Sequence, residues 1–303
     1  MNIFHNLLDL QFIKELNYMP ELPEVEITKR SLSKHILYKK VNDVTIINPK
    51  LRYNLNKKKL ILLKGKIIKK IIRRSKYILI YFNNSNILLI HLGMTGRFYF
   101  VRKKKTFDTS FYNNSDVIVR HNHLMLKFDK FDLIYNDIRK FGFIKTIHEK
   151  KIKTESHLTK LGCEPLSSEF SFDYLKNKIC NKKSSIKNLL MNQSIVAGLG
   201  NIYVNEALYL CKINPNNLGY AITDLKIRKL VNSIKKILKN AIIAGGSTIN
   251  NYHNSEGKTG SYQKNFKVYD RANKMCLRSS CNGKIMRIKR SGRSIFYCSK
   301  CQT

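Results

Sequence analysis

Met19-Pro20-Glu21-Leu22-Pro23-Glu24-Val25-Glu26 opens an apolar stripe. Leu22, Val25, Leu32 and Ile36 fall at intervals of three, seven and four residues, which is one face of an α-helix. Pro23 suits the first turn, where its missing N–H would have had no partner. Glu24 and Glu26 complement the positive end of the helix dipole. Outward from this helix, residues from about 41 to 148 change period. Tyr77–Phe82, Ile87–Leu92, His123–Phe128 and Leu133–Tyr135 are short runs rich in β-branched or aromatic residues, separated by Asn, Ser and Gly. They predict an antiparallel sandwich or barrel with the leading helix packed on it. Arg102–Lys105 and Ser110–Asp116 read as solvent loops.

From about 155 to 250 the period becomes helical again. Ile227, Leu230, Val231, Ile234, Ile237, Leu238 and Ala241 form a 3/4 repeat, and Gly245 and Gly246 supply its C-terminal stop. Lys226, Arg228, Lys229, Lys235, Lys236 and Lys239 lie off that stripe and predict a solvated face. A Gly/Ser/Asn-rich loop runs from Gly245 to Gly260. Then come four of the seven cysteines, Cys276, Cys281, Cys298 and Cys301, spaced C-x4-C, sixteen residues, C-x2-C. Two close pairs across a hairpin-length gap suit one tetrahedral Zn²⁺, each pair on a tight knuckle that aims both thiolates at one point. Two disulfides or four free thiols are the alternatives, and nothing in the first eighteen residues supports an oxidising compartment. Met1–Tyr18 is a poor secretory signal and a poor mitochondrial leader. It reads as an extension, or as untranslated sequence before a start at Met19.

The chain has 303 residues, 43% hydrophobic and 25% charged, enough for two or three domains. That composition excludes a collagen-like or wholly disordered chain, and no run suits a membrane helix. Lys and Arg number 57 against 20 Asp and Glu, a net charge of +37. Part of this excess is compositional, since 43 Lys and 31 Asn are what an AT-rich genome over-supplies. The remainder points to a polyanion, nucleic acid ahead of an acidic membrane surface.

Six blocks in order narrow this to one family. They are the Met19–Glu26 stretch; Arg73-Arg74-Ser75-Lys76-Tyr77; His91-Leu92-Gly93-Met94-Thr95-Gly96; Asp137-Ile138-Arg139-Lys140-Phe141-Gly142; Gly198-Leu199-Gly200-Asn201-Ile202-Tyr203; and the terminal cysteines. Together they resemble bacterial formamidopyrimidine-DNA glycosylase from residue 19 to residue 303. The resemblance implies a multidomain α+β protein: an extension at 1–18, a catalytic β-sandwich with a leading helix at 19–150, a helix–two-turn–helix domain with a lesion-recognition loop at 151–262, and a zinc β-ribbon at 263–303. It implies base-excision repair of oxidised purines, 8-oxoguanine and formamidopyrimidines, followed by β- and δ-elimination of the abasic strand.

The same resemblance assigns roles. Pro20, once exposed as an amino terminus, would be a secondary amine titrating near 8, able to attack C1′ and form an imine. Behind Met19 its nitrogen would be an inert amide. Glu21 would be the acid that opens the sugar or expels the base, and Lys76 would hold phosphate and assist β-elimination. Met94 and Phe141 would fill the void left by a flipped nucleotide while Arg139 bonds the estranged cytosine. In isolation Met94 and Phe141 would read as core. His121, Lys182, Lys183, Lys187 and Asn201 would contact DNA, Gly257–Gln263 would be the lesion-recognition loop, and Arg293 would bind the flanking phosphate and aid δ-elimination. Ile138, Lys140 and Asp270 depart from the family pattern. A monomer acting on damaged double-stranded DNA in the bacterial cytoplasm, at the nucleoid, with one structural zinc and no membrane association, is the expectation. An endonuclease VIII-like enzyme for oxidised pyrimidines and a non-catalytic zinc DNA-binding protein with a blocked Pro20 stand as alternatives.

Overall fold

The computed structural model describes residues 19–102, 106–107, 119–247, 260–290 and 292–303. Met1–Tyr18, most of the Arg102–Lys105 run, the Ser110–Asp116 loop and residues 257–259 of the expected lesion-recognition loop lie outside the described residues. The described residues of Met1–Glu155 and of Gly245–Ser261 form one compact unit, and those of Ser156–Ala244 and Tyr262–Thr303 form a second. The ribbon, expected as a separate domain, therefore groups with the helices. Among the described residues no helix is long and apolar enough to cross a membrane.

The first unit starts with α1 (Leu22–Ile36). The Glu24 carboxylate turns back to accept the Glu21 N–H at 3.0 Å, satisfying a donor that the helix start leaves orphaned. Leu22, Val25, Leu32 and Ile36 are all buried, as their spacing predicts. Two antiparallel sheets follow. One has the order β1 (Asp43–Ile46), β7 (Asn122–Lys127), β8 (Phe131–Asn136), β5 (Arg97–Arg102), β6 (Thr106–Phe107). The other runs β2 (Ile68–Arg74), β3 (Tyr77–Phe82), β4 (Asn86–His91), β9 (Phe143–His148). Alternate residues of each sheet, Ile78 and Ile80, Leu88 and Ile90, Phe98 and Phe100, Leu124 and Leu126, Leu133 and Tyr135, meet Val25, Leu32 and Ile36 in one core. The predicted strands are thus found within one or two residues, as a sandwich. A short helix, α2 (Lys57–Ile61), precedes β2.

In the second unit a single turn, α3 (Ser156–Thr159), leads to α4 (Phe172–Ile179), α5 (Ile186–Met191), α6 (Asn201–Leu210) and α7 (Asp224–Ile243). The 3/4 stripe of α7 is buried from Ile227 to Ala241. After α7, Gly245 and Gly246 adopt left-handed φ of +81° and +87°. Lys239 and Lys236 are exposed, whereas Lys235 donates to the Ser167 carbonyl at 3.1 Å, so the expected solvated face is not uniformly free. The chain ends in the hairpin β10 (Ile285–Arg290) and β11 (Arg293–Cys298).

Candidate nucleic-acid interface and metal centre

Pro20 is half-buried immediately before α1, and Glu21 beside it is 3% exposed. The helix start is held from a distance. The second oxygen of Glu24 accepts the Ser247 N–H at 2.8 Å and the Ser247 hydroxyl at 2.9 Å. Glu26 pairs with Arg73 of β2 at 3.1 Å. Glu24 and Glu26 thus anchor the segment that carries Pro20. Lys76, half-buried, occupies the two-residue turn between β2 and β3, where Ser75 takes a left-handed φ of +55°.

Met94 and the Arg139/Phe141 pair lie on two connections that cross between the sheets. Strand β4 leaves one sheet and β5 enters the other; β8 and β9 reverse that path, and β4 pairs with β9 as β5 pairs with β8. The turns Leu92–Gly96 and Asp137–Gly142 must therefore run side by side. They touch so closely that a Cβ on Gly93 would lie 2.4 Å from the Gly142 nitrogen, and Gly93 has φ +66° besides. Asp137, fully buried, ties them: its carboxylate accepts the Thr95 hydroxyl at 2.5 Å and the Gly142 N–H at 2.8 Å. Thr95 Oγ1 in turn accepts the Arg139 N–H at 2.9 Å. Tyr135 donates to the same carboxylate at 3.5 Å, its phenol pushed well up by burial and then by Asp137. Phe141 is 47% exposed, and the Arg139 guanidinium lies 4.8 Å from its ring centroid. Phe141 is not a core residue, and Met94 is half-buried. His121 ends a short 3-10 turn, and its carbonyl accepts the Asp137 N–H at 3.0 Å.

The second unit carries the remaining expected DNA contacts. Lys182 and Lys183 are exposed before α5, but Lys187 within α5 is only 3% exposed. The connection from α5 to α6 is stapled by Gln193. Its amide donates to the Met191 and Leu199 carbonyls at 3.1 and 2.7 Å and accepts the Gly198 N–H at 2.7 Å. Gly198, at φ +83°, makes that turn possible. Asn201 begins α6 and donates to the Ser294 carbonyl at 3.0 Å, next to exposed Arg293 at the tip of the ribbon. Within the expected lesion-recognition loop residues 260–263 are described, and Tyr262 is buried, its phenol pushed up to about 12 by burial and then by Glu206.

Cys276, Cys281, Cys298 and Cys301 come together with their sulfurs within 4.8 Å of one another. Cys276–Cys301 and Cys281–Cys298 are separated by 3.8 and 3.6 Å, far beyond a disulfide bond. A tetrahedron with Zn–S bonds of about 2.3 Å has edges of about 3.8 Å, so the four thiols fit one zinc ion. Tyr209 of α6 lies against this group, its hydroxyl 3.3 Å from Cys276 Sγ.

The residues that position these groups were not all singled out from sequence. Asp137 and Thr95 stand inside recognised blocks without an assigned role. Gln193 and Glu206 carry no local signal, although Glu206 accepts the N–H groups of Lys267, Val268 and Tyr269 at 2.8–2.9 Å.

Comparison with known proteins agrees with this geometry. Residues 19–144 match the formamidopyrimidine-DNA glycosylase N-terminal domain, and residues 161–253 match the H2TH domain of formamidopyrimidine-DNA glycosylase. The formamidopyrimidine-DNA glycosylase of Rickettsia bellii is 39% identical over 285 residues, which is 94% of this chain and 99% of the relative. That of Wolbachia pipientis from Culex pipiens is also 39% identical, over 94% of this chain and the whole of the relative. Two Lactococcus lactis Fpg structures are similar. A mutant complexed with DNA containing Fapy-dG has a TM-score of 0.81 at 34% identity, covering 94% of this chain and 100% of that one. A complex with DNA containing an abasic site has a TM-score of 0.81 at 33% identity, covering 93% and 99%. The extent of these matches, and the two crossover turns and cysteine cluster they span, show that the chain belongs to the formamidopyrimidine-DNA glycosylase family.

Proposed function

We propose that this base-excision-repair DNA glycosylase and AP lyase removes oxidised purines from double-stranded DNA, with Pro20 as its nucleophile. The observation that carries the reading is the anchored head of α1, where Glu24 holds both the Glu21 backbone and Ser247 and so fixes Pro20 beside a buried carboxyl. The Pro20 nitrogen, as a free secondary amine, attacks C1′ of the flipped nucleotide. The N-glycosidic bond breaks and the base departs with the proton lost by the attacking amine. Glu21 then protonates O4′, the C1′–O4′ bond opens, and the Pro20 nitrogen lone pair closes an iminium that links enzyme and sugar. Loss of a C2′ proton then expels the 3′ phosphate, and a second elimination expels the 5′ phosphate, with Lys76 and Arg293 holding phosphate charge. Met94 and Phe141 occupy the vacated stack, and Arg139 bonds the cytosine left behind.

His121, Lys182, Lys183, Lys187 and Asn201 contribute phosphate contacts that set register rather than sequence. One structural zinc on Cys276, Cys281, Cys298 and Cys301 stiffens the ribbon beneath Arg293 and takes no part in the bond changes. The protein acts as a monomer at the bacterial nucleoid in the cytoplasm. The test is borohydride trapping on an 8-oxoguanine duplex. A form beginning at Pro20 should be trapped covalently, and a form retaining Met1–Met19 should not. Efficient trapping of the longer form would overturn Pro20 as nucleophile.

A further inference from the structure

Helix α6 presents polar side chains at 201, 205 and 209, a spacing of four that places them on one face. Each meets the ribbon or its knuckle. Asn201 donates to the Ser294 carbonyl at 3.0 Å. Asn205 Oδ1 accepts the Phe296 N–H at 3.3 Å. The Tyr209 hydroxyl lies 3.3 Å from Cys276 Sγ. The first two bonds satisfy backbone groups of a strand. The third reaches a sulfur of the metal cluster.

Tyr209 is 3% exposed, and a buried phenol requires a hydrogen-bond partner. A cysteine that ligates zinc does so as thiolate, which can only accept. The hydroxyl must then be the donor. The knuckle also grips the tyrosine from its other side. Arg278, two residues after Cys276, places its guanidinium 4.5 Å from the Tyr209 ring centroid and donates to the Tyr209 carbonyl and, at 3.3 Å, to that of Leu210. Ring, hydroxyl and carbonyl of one residue are thus each engaged by the Cys276 knuckle.

We propose that Tyr209 is a positioning residue of the metal centre, its hydroxyl donating to the Cys276 thiolate and fastening the zinc knuckle to the DNA-binding helix. The inference rests on the zinc reading above and adds to it. Four thiolates around one Zn²⁺ carry excess negative charge, and a donor aimed at one sulfur offsets part of it and fixes that sulfur's direction. Partners of this kind typically alter metal affinity 10–100-fold. Tyr209 makes the hold on zinc depend on the same helix that begins with Asn201.

Tyr209→Phe removes the hydroxyl and keeps the ring beneath Arg278. Zinc release from the full-length holoprotein to a chromophoric chelator should accelerate roughly tenfold or more. In the Co²⁺-substituted protein the thiolate charge-transfer band should move to lower energy, a change that loosened packing alone would not produce. In wild-type protein carrying the NMR-active cadmium isotope, the Tyr209 hydroxyl proton should couple to the metal through sulfur, a reading that needs no substitution. Wild-type protein without stoichiometric zinc would remove the zinc reading itself. Stoichiometric zinc in both forms, with equal release rates, an unmoved cobalt band and no coupling, would overturn the role of Tyr209 alone, whatever the melting temperature did.

Discussion

Phe141 shows how one side chain can be misread without its surroundings. An aromatic residue between a Lys and a Gly would ordinarily count as core, yet here it is half-exposed and covered on one side by the Arg139 guanidinium. Placed on a crossover turn rather than within a strand, it has no sheet face to bury against. A wedge predicts a substrate-dependent defect. Met94→Ala or Phe141→Ala should slow excision of paired 8-oxoguanine by tenfold or more, because unstacking a base costs a few kcal/mol. Cleavage at a pre-formed abasic site should change far less, since no base remains to extrude. Single-turnover rates on the two duplexes measure this, and equal losses would make both residues structural. Lys187 is the opposite case. Its place in the family order suggests a phosphate contact, yet packing leaves the side chain only 3% exposed.

At the scale of elements, the two crossover turns behave as one object because a single carboxylate joins them. Thr95 and Asp137 are 42 residues apart, and the Asp137 carboxylate is the acceptor for both the Thr95 hydroxyl and the Gly142 N–H. Asp137→Ala would leave these buried donors unsatisfied and should destabilise the sandwich by about 1–3 kcal/mol, read from urea denaturation. It should also lower excision of a paired lesion further than Met94→Ala does, since it releases both turns at once. A variant that loses stability but flips bases as well as wild type would show that the turns do not need each other. The recognised sequence blocks marked both turns but not their coupling. Local periodicity reports which face of a strand is buried, and it contains no information on which distant carboxylate a hydroxyl will find.

For the whole molecule the question is how much of the +37 charge acts on DNA. Lys76, Lys182, Lys183, Lys187 and Arg293 are the charged members of the proposed phosphate contacts, about five cations. At roughly 0.9 counterion per neutralised phosphate, log K against log salt should have a slope near −4 or −5. Arg293→Ala should reduce its magnitude by about one. Lys239→Ala, on the exposed side of α7, should leave the slope unchanged, measured by fluorescence anisotropy across a salt series. A slope beyond about −10 would mean that the lysine excess itself grips DNA and is not a product of composition.

What the sequence determined by itself was whatever repeats along the chain. The 3/4 stripes of α1 and α7, the β-branched and aromatic runs of β3, β4, β7 and β8, and the paired cysteine knuckles were all legible, because each is set by a backbone period, a local composition or a short spacing. Tertiary structure alone decided the partners of isolated polar groups. Glu24 finds Ser247, Glu206 finds the 267–269 backbone, Gln193 closes its own loop, Lys235 reaches Ser167, and Tyr209 reaches Cys276. Except for the Gln193 staple, which spans a few residues, these pairings join positions 60 or more apart. A hydrogen bond across that distance depends on how elements pack, and buried polar groups are satisfied by whichever partner that packing delivers.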